Sequence, residues 1–187
     1  MITTTKYNQT TISKKVTLDG VGLHTGKDVT LTFNPSEANT GYVFKRIDLK
    51  DMPLVEADIN YVSNTERGTC LNKNNVIIQT CEHVLASLVG LEIDNVLIEL
   101  NASEPPIMDG SSKFFVEALE KAGIKELDEK RKEFIVKNVI SFKDEKTGSE
   151  ITIIPSKEYQ VTTMVDFGTK ILGTQNASIS SISQFKT

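Results

Sequence analysis

The stretch "QTCEHVLASLVGLEIDN", Gln79 to Asn95, decides how the chain is read. It places a carboxylate and an imidazole, Glu82 and His83, side by side at the head of an otherwise apolar helix. At 100° per residue, Cys81, Val84, Leu85, Leu88 and Val89 form one stripe, the expected core face. Thr80 stands where a helix N-cap belongs. On the same count His83 falls at roughly 200° from Cys81, together with Ala86, Ser87 and Gly90, and Glu82 lies at the border of the two faces. The small residues beside His83 leave room for a ligand or another helix.

The segments on either side alternate strand and loop. "TISKKVTL" and "DVTLTF" carry the two-residue period of strands, and Asn34-Pro35 stops the second. Between them "DGVGLHTG", Asp19 to Gly26, holds three glycines in eight positions, a loop that needs backbone freedom or close approach. "GYVFKRIDL" reads as another strand, and "GTCLNKNNVIIQT" as two strands joined by a polar turn. "DNVLIEL" is a further strand. "SEPPIMDGSS" is a loop in which Asp109 or a serine caps the helix "KFFVEALEKAG", whose buried positions are Phe114 or Phe115, Ala118, Leu119 and Ala122, with Gly123 closing it. The charged run 125–133, "KELDEKRKE", reads as a solvated linker.

Beyond it strands resume in "FIVKNVISF", "SEITIIP" and "YQVTTMVDF". "DVTLTFNP" ends at Pro35 and "SEITIIP" at Pro155, which suggests an internal duplication offset by about 120 residues. The fold class is therefore α+β. Residues 1–126 form a first domain carrying the Glu-His helix, 127–133 a linker, and 134–187 the start of a second domain. The stretch "GTKILGTQNASISSIS" supplies no strongly amphipathic helix to cover those later strands, so the second domain reads as incomplete.

Composition sets outer limits. The 187 residues are 39% hydrophobic and 25% charged, enough for an ordinary core. A formal net charge of -4 argues against a general nucleic-acid binder. No window approaches a membrane span, and "MITTTKYNQTTISKKVTLDG" lacks the apolar run of a signal peptide. Cys70 and Cys81 are read as reduced thiols with packing roles, and the expected location is the cytoplasm.

The chemistry of the Glu-His pair has two readings. A metal held by His83 would carry a water that Glu82 reaches from the flank, as in hydrolytic zinc sites. Against this stand the single imidazole, since catalytic zinc usually has three protein ligands, and the absence of a His-Glu-x-x-His pattern. A solvent-facing or capping histidine is the common alternative. His24 in "GVGLHTG" is a ligand, a substrate contact or a loop residue. Arg67 in "NTERGT" suits a phosphate or carboxylate, or is a surface arginine. Asp109 is a site residue or a helix cap.

"GVGLHTG", "TCEHVLASLVGLEIDNV" and "PIMDGSS", in this order and spacing, resemble the UDP-3-O-acyl-N-acetylglucosamine deacetylase family, zinc enzymes of lipid A synthesis. The resemblance implies two similar sheet-plus-helix domains packed with their helices inward, the second only begun here. It implies a Zn²⁺ cofactor and a UDP-sugar acyl substrate from which an N-acetyl group is hydrolysed. It assigns Glu82 as general base and His83 as a metal ligand, and it places His24 and Asp109 in family motifs near the site, as support or substrate contact; Arg67 joins the candidate substrate contacts on its own chemistry. It also implies further ligands in a later His-x-x-x-Asp pattern, and a later histidine as general acid. This sequence has no histidine after His83, so the chain alone is expected to be inactive. "MVDFGTKILGTQNA" is similar to the subgroup fused to a 3-hydroxyacyl-carrier-protein dehydratase. A monomer without stable membrane insertion is expected. Two other readings compete: a non-catalytic binding or scaffold module that retains the first domain, and a different hydrolase joining His24 and His83 in one site.

Overall fold

In the computed structural model, residues 2–180 are described, and the end of the expected second domain, 181–187, lies outside them. The chain is mostly strand, with two helices, in an α+β arrangement. It divides into two compact units: Lys6–Arg131, and the remaining residues up to Thr5 and from Lys132 onward.

The strands are β1 (Ile2–Ile12), β2 (Val16–Val21), β3 (Asp28–Pro35), β4 (Tyr42–Arg46), β5 (Leu54–Glu56), β6 (Val62–Asn64), β7 (Cys70–Lys73), β8 (Val76–Ile78) and β9 (Val96–Leu100). They are followed by β10 (Ile124–Phe134), β11 (Ile140–Lys143), β12 (Glu150–Ile153), β13 (Val161–Asp166) and β14 (Thr174–Ile179). The helices are α1 (Glu82–Gly90) and α2 (Lys113–Ala122).

In the Lys6–Arg131 unit the main sheet runs β2-β3-β9-β4-β5. Only the β4–β9 pair is parallel. Alternation fixes the faces. Val29, Leu31 and Phe33 of β3 and Val96, Ile98 and Leu100 of β9 are buried, while Thr30, Thr32, Leu97 and Glu99 between them are only half-buried. Onto the buried face α2 brings Phe115 and Leu119, and the Phe115 ring meets Phe33 edge-on at 6.4 Å. α1 packs against α2. A smaller sheet, β6-β7-β8, leads into α1. Its β7–β8 turn has Asn74 and Asn75 both at positive φ, 52° and 66°, as a tight hairpin requires and asparagine tolerates.

Three local expectations change. Val89 is not core: it is 41% exposed, while Cys81, Val84 and Leu88 are sealed and the small Ser87 and Gly90 are buried with them. α1 is thus covered on the flank where its residues are small. Thr80 does not cap α1, because its hydroxyl is taken by a buried carboxylate described below. Residues 124–134 are strand β10, paired with β1, rather than a solvated linker. Most charges of that run are exposed, but three find partners in the chain: Lys130 Nζ donates to Asn8 Oδ1 at 2.6 Å, Asn8 to Glu126 at 3.3 Å, and the half-buried Arg131 to Asp94 at 2.9 Å.

In the unit from Lys132 onward, β11 pairs with β12 and β13 with β14, both antiparallel. The pairs Ile140–Ile153 and Phe142–Ile151 share one face of the first hairpin, and all four side chains are exposed.

Candidate functional site

The site begins with the loop between β2 and β3. Gly22 and Gly26 close it: the Gly26 amide donates to Gly22 O at 3.0 Å, and the Gly22 amide to Lys27 O at 3.0 Å. Inside the loop sits Glu104, fully buried. Its carboxylate accepts from the His24 amide at 3.1 Å, the Thr25 amide at 3.0 Å, the Thr25 hydroxyl at 3.0 Å and the Thr80 hydroxyl at 2.9 Å. Burial pushes the Glu104 pKa up. The Thr25 and His24 amides and the Thr80 and Thr25 hydroxyls outweigh that and hold it below the usual glutamate value. Glycine at position 22 lets the loop close on the carboxylate, since a Cβ there would stand 2.7 Å from Glu104 Oε2 and force that side chain to shift.

The loop presents His24 outward, and its Nε2 lies 3.3 Å from the carbonyl of Arg67. Two residues on, the Thr69 amide donates to Glu82 Oε2 at 2.8 Å, and the Thr69 carbonyl accepts from the Cys81 amide and thiol, each at 3.3 Å. Gly68 lies between at φ +151°, where a Cβ would come 3.2 Å from Glu82 Oε1. Glu82 is therefore clamped on one oxygen and has the other beside a residue without a side chain. His24, Arg67, Gly68, Cys70 and Thr80 help line a cavity of about 180 Å³ next to this clamp. Burial pushes the Cys81 thiol up to about 12, which makes it an inert packing group.

His83 follows Glu82 on α1 and is half-buried. Its carbonyl accepts from the Ser112 hydroxyl at 2.9 Å, which joins the first turn of α1 to the start of α2. Its imidazole makes no hydrogen bond among the described residues, so the ring is uncommitted. The Arg67 guanidinium likewise has no ion-pair partner among them. Asp109 does not cap α2. Its carboxylate accepts the Ser111 hydroxyl at 2.8 Å and amide at 3.0 Å, and these bonds hold its pKa below the usual aspartate value. Among the described residues no three His, Cys, Asp or Glu side chains gather as a metal cluster, so His24 and His83 do not share such a site. Among the described residues no helix is long and apolar enough to cross a membrane.

The structure thus joins His24, Arg67 and Glu82 through the 67–69 backbone, and leaves the Asp109 carboxylate with Ser111. Glu104, Gly68 and Thr69 escaped the sequence reading. A glutamate followed by two prolines after an apolar strand was the available signal for Glu104, because such a residue has little freedom to reach solvent.

A backbone-clamped carboxylate next to an uncommitted imidazole, on one helix of an α+β unit, is an arrangement whose chemistry suits acid-base or metal-assisted hydrolysis. The comparisons specify the family. The chain belongs to the UDP-3-O-acyl N-acetylglycosamine deacetylase (LpxC) family, whose model matches residues 9–187. It is 40% identical over 178 residues to the bifunctional enzyme LpxC/FabZ of Bacteroides thetaiotaomicron, covering 95% of this chain and 39% of that one. It is 42% identical over 172 residues to the bifunctional enzyme LpxC/FabZ of Chlorobaculum tepidum, covering 92% and 37%. To the UDP-3-O-acyl-N-acetylglucosamine deacetylase of Geobacter sp. (strain M21) it is 39% identical over 171 residues, covering 91% and 55%. The chain therefore spans between 37% and 55% of the length of these relatives.

Proposed function

We propose that this chain supplies the first half of the active site of a zinc-dependent deacetylase of lipid A synthesis. The reaction hydrolyses the N-acetyl group of UDP-3-O-acyl-N-acetylglucosamine to the free amine and acetate. The observation that carries the reading is the Glu82 clamp beside the uncommitted His83 ring. Glu82 acts as general base. The Thr69 amide fixes Oε2, which leaves Oε1 to accept a proton from water. His83 donates an imidazole nitrogen to zinc, and its freedom from hydrogen bonds fits that role. When bound, the metal lowers the pKa of its water and polarises the amide carbonyl.

The remaining ligands and the general acid belong to the later part of the family's length, in the His-x-x-x-Asp pattern and a further histidine. Two similar domains facing each other with their helices then complete the centre, and residues 1–187 alone are inactive. His24 and Arg67, at the rim of the cavity, contact the substrate. Arg67 offers its guanidinium to the substrate's anionic groups, and Asp109, just before α2, offers its carboxylate as an acceptor to the substrate's hydroxyl or amide donors.

The test is acetate release by the full-length protein from UDP-3-O-acyl-N-acetylglucosamine. One acetate per free amine, lost on chelation and restored by zinc, is expected. No release by zinc-loaded protein contradicts the reading.

A further inference from the structure

The geometry points to Glu104 as the positioning residue of the Glu82–His83 half-site, acting through Thr80 and His24 on the Arg67–Thr69 backbone. This rests on the functional reading above and adds a residue to it. Glu104 is a fully buried carboxylate without an ion-pair partner among the described residues, satisfied by backbone amides and hydroxyls alone. A buried charge arranged in this way is costly unless every partner stays in place, so the group enforces one geometry on what it holds.

What it holds are the two ends of the clamp. Oε1 takes the Thr80 hydroxyl, and Thr80 directly precedes the Cys81 group that grips the Thr69 carbonyl. The carboxylate also takes the His24 amide, and the His24 ring meets the Arg67 carbonyl. Thr69 in turn positions Glu82. Backbone conformation supports the same conclusion independently. Thr80 sits at φ +50°, a region that β-branched residues avoid. A strained residue persists where its surroundings over-determine it, and such residues cluster at functional sites. The Glu104 bond is what fixes this one. Through it the chain turns from β8 into α1 with Glu82 at the first helical position.

The test uses Thr80→Val and Thr80→Ser in the full-length zinc-loaded protein. Valine keeps the shape and the β-branch and removes the hydroxyl; serine keeps the hydroxyl. Two quantities are read: steady-state kcat and KM, and hydrogen exchange at the Thr69 amide relative to the β9 amides. Thr80→Val is expected to speed Thr69 exchange at least about 10-fold with β9 unchanged, and to lower kcat about 10- to 100-fold with KM within about 3-fold, since misplacement of a reacting group by about 1 Å costs about that much. Thr80→Ser is expected to remain within about 3-fold of wild type in both. Equal acceleration at Thr69 and β9, or wild-type kcat in Thr80→Val, overturns the inference. If the wild-type protein fails to deacetylate, the functional reading falls, while the exchange comparison still decides whether Glu104 positions Thr69.

Discussion

Glu82 and His83 are sequence neighbours with opposite commitments, and the difference lies in what surrounds each. Glu82 is fixed by the Thr69 amide, and Gly68 leaves its second oxygen open. Gly68→Ala adds a Cβ 3.2 Å from that oxygen at φ +151°, where side chains are strained. The expected outcome is a loss of about 1–3 kcal/mol, read from urea midpoints, together with lower turnover in the full-length protein. Glu104 makes a pH-dependent contribution. Its native pKa is depressed, so its stabilisation is complete above the unfolded glutamate value of about 4.3 and disappears as pH falls through the lower native value. The stability gap between wild type and Glu104→Gln, measured by urea unfolding, should be wide at pH 7 and narrow toward pH 3; a constant gap would refute this. At this scale the sequence singled out the candidate residues and hid how they are held. Glu82 and His83 stand out because they interrupt an apolar helix. Glu104 looked like an ordinary loop residue, since its four donors come from chain segments more than 20 residues away.

The elements followed their patterns where one interaction dominated. α1, α2 and the asparagine turn were legible because apolar period and turn chemistry act locally. Residues 124–134 were not: their charges do face solvent for the most part, but the run pairs with β1 as a strand and Arg131 reaches the α1–β9 connection, and a charged sequence without apolar alternation signals neither. Arg131 donates to Asp94 Oδ2 from both Nε and Nη2 and to the Glu92 carbonyl from Nη2, and so ties β10 to that connection. Arg131→Met should destabilise the protein by about 2 kcal/mol, the scale of a single hydrogen bond to a charged group, because its bonds share acceptors and are partly screened by solvent. Denaturant unfolding measures it, and an unchanged midpoint would mean that the pairing of β10 with β1 stands without this anchor. The first turn of α1 was legible in identity but not in capping, because the buried carboxylate outbids the helix for the Thr80 hydroxyl.

Across the whole molecule, "DVTLTFNP" contributes to the antiparallel pair β2–β3 and "SEITIIP" to the antiparallel pair β11–β12. The first has its buried face covered; the second exposes Phe142 and Ile151 at 65% and 64%. That contrast was legible in part, since the later stretch offers no amphipathic helix to cover the strands, although the strand period itself shows only which side chains share a face. In the proposed account the centre needs both halves of the family's length. The 187-residue chain should therefore lose its zinc on dialysis that leaves the full-length protein loaded, as metal analysis would show; equal retention would contradict the division. The most direct test of the central claim, that α1 delivers a base and a ligand as separate functions, is zinc content and turnover measured together for Glu82→Gln and His83→Ala in the full-length protein. The account predicts stoichiometric zinc with turnover reduced at least about 100-fold for Glu82→Gln, and lost zinc for His83→Ala. Wild-type turnover in Glu82→Gln, or full zinc occupancy in His83→Ala, would contradict it.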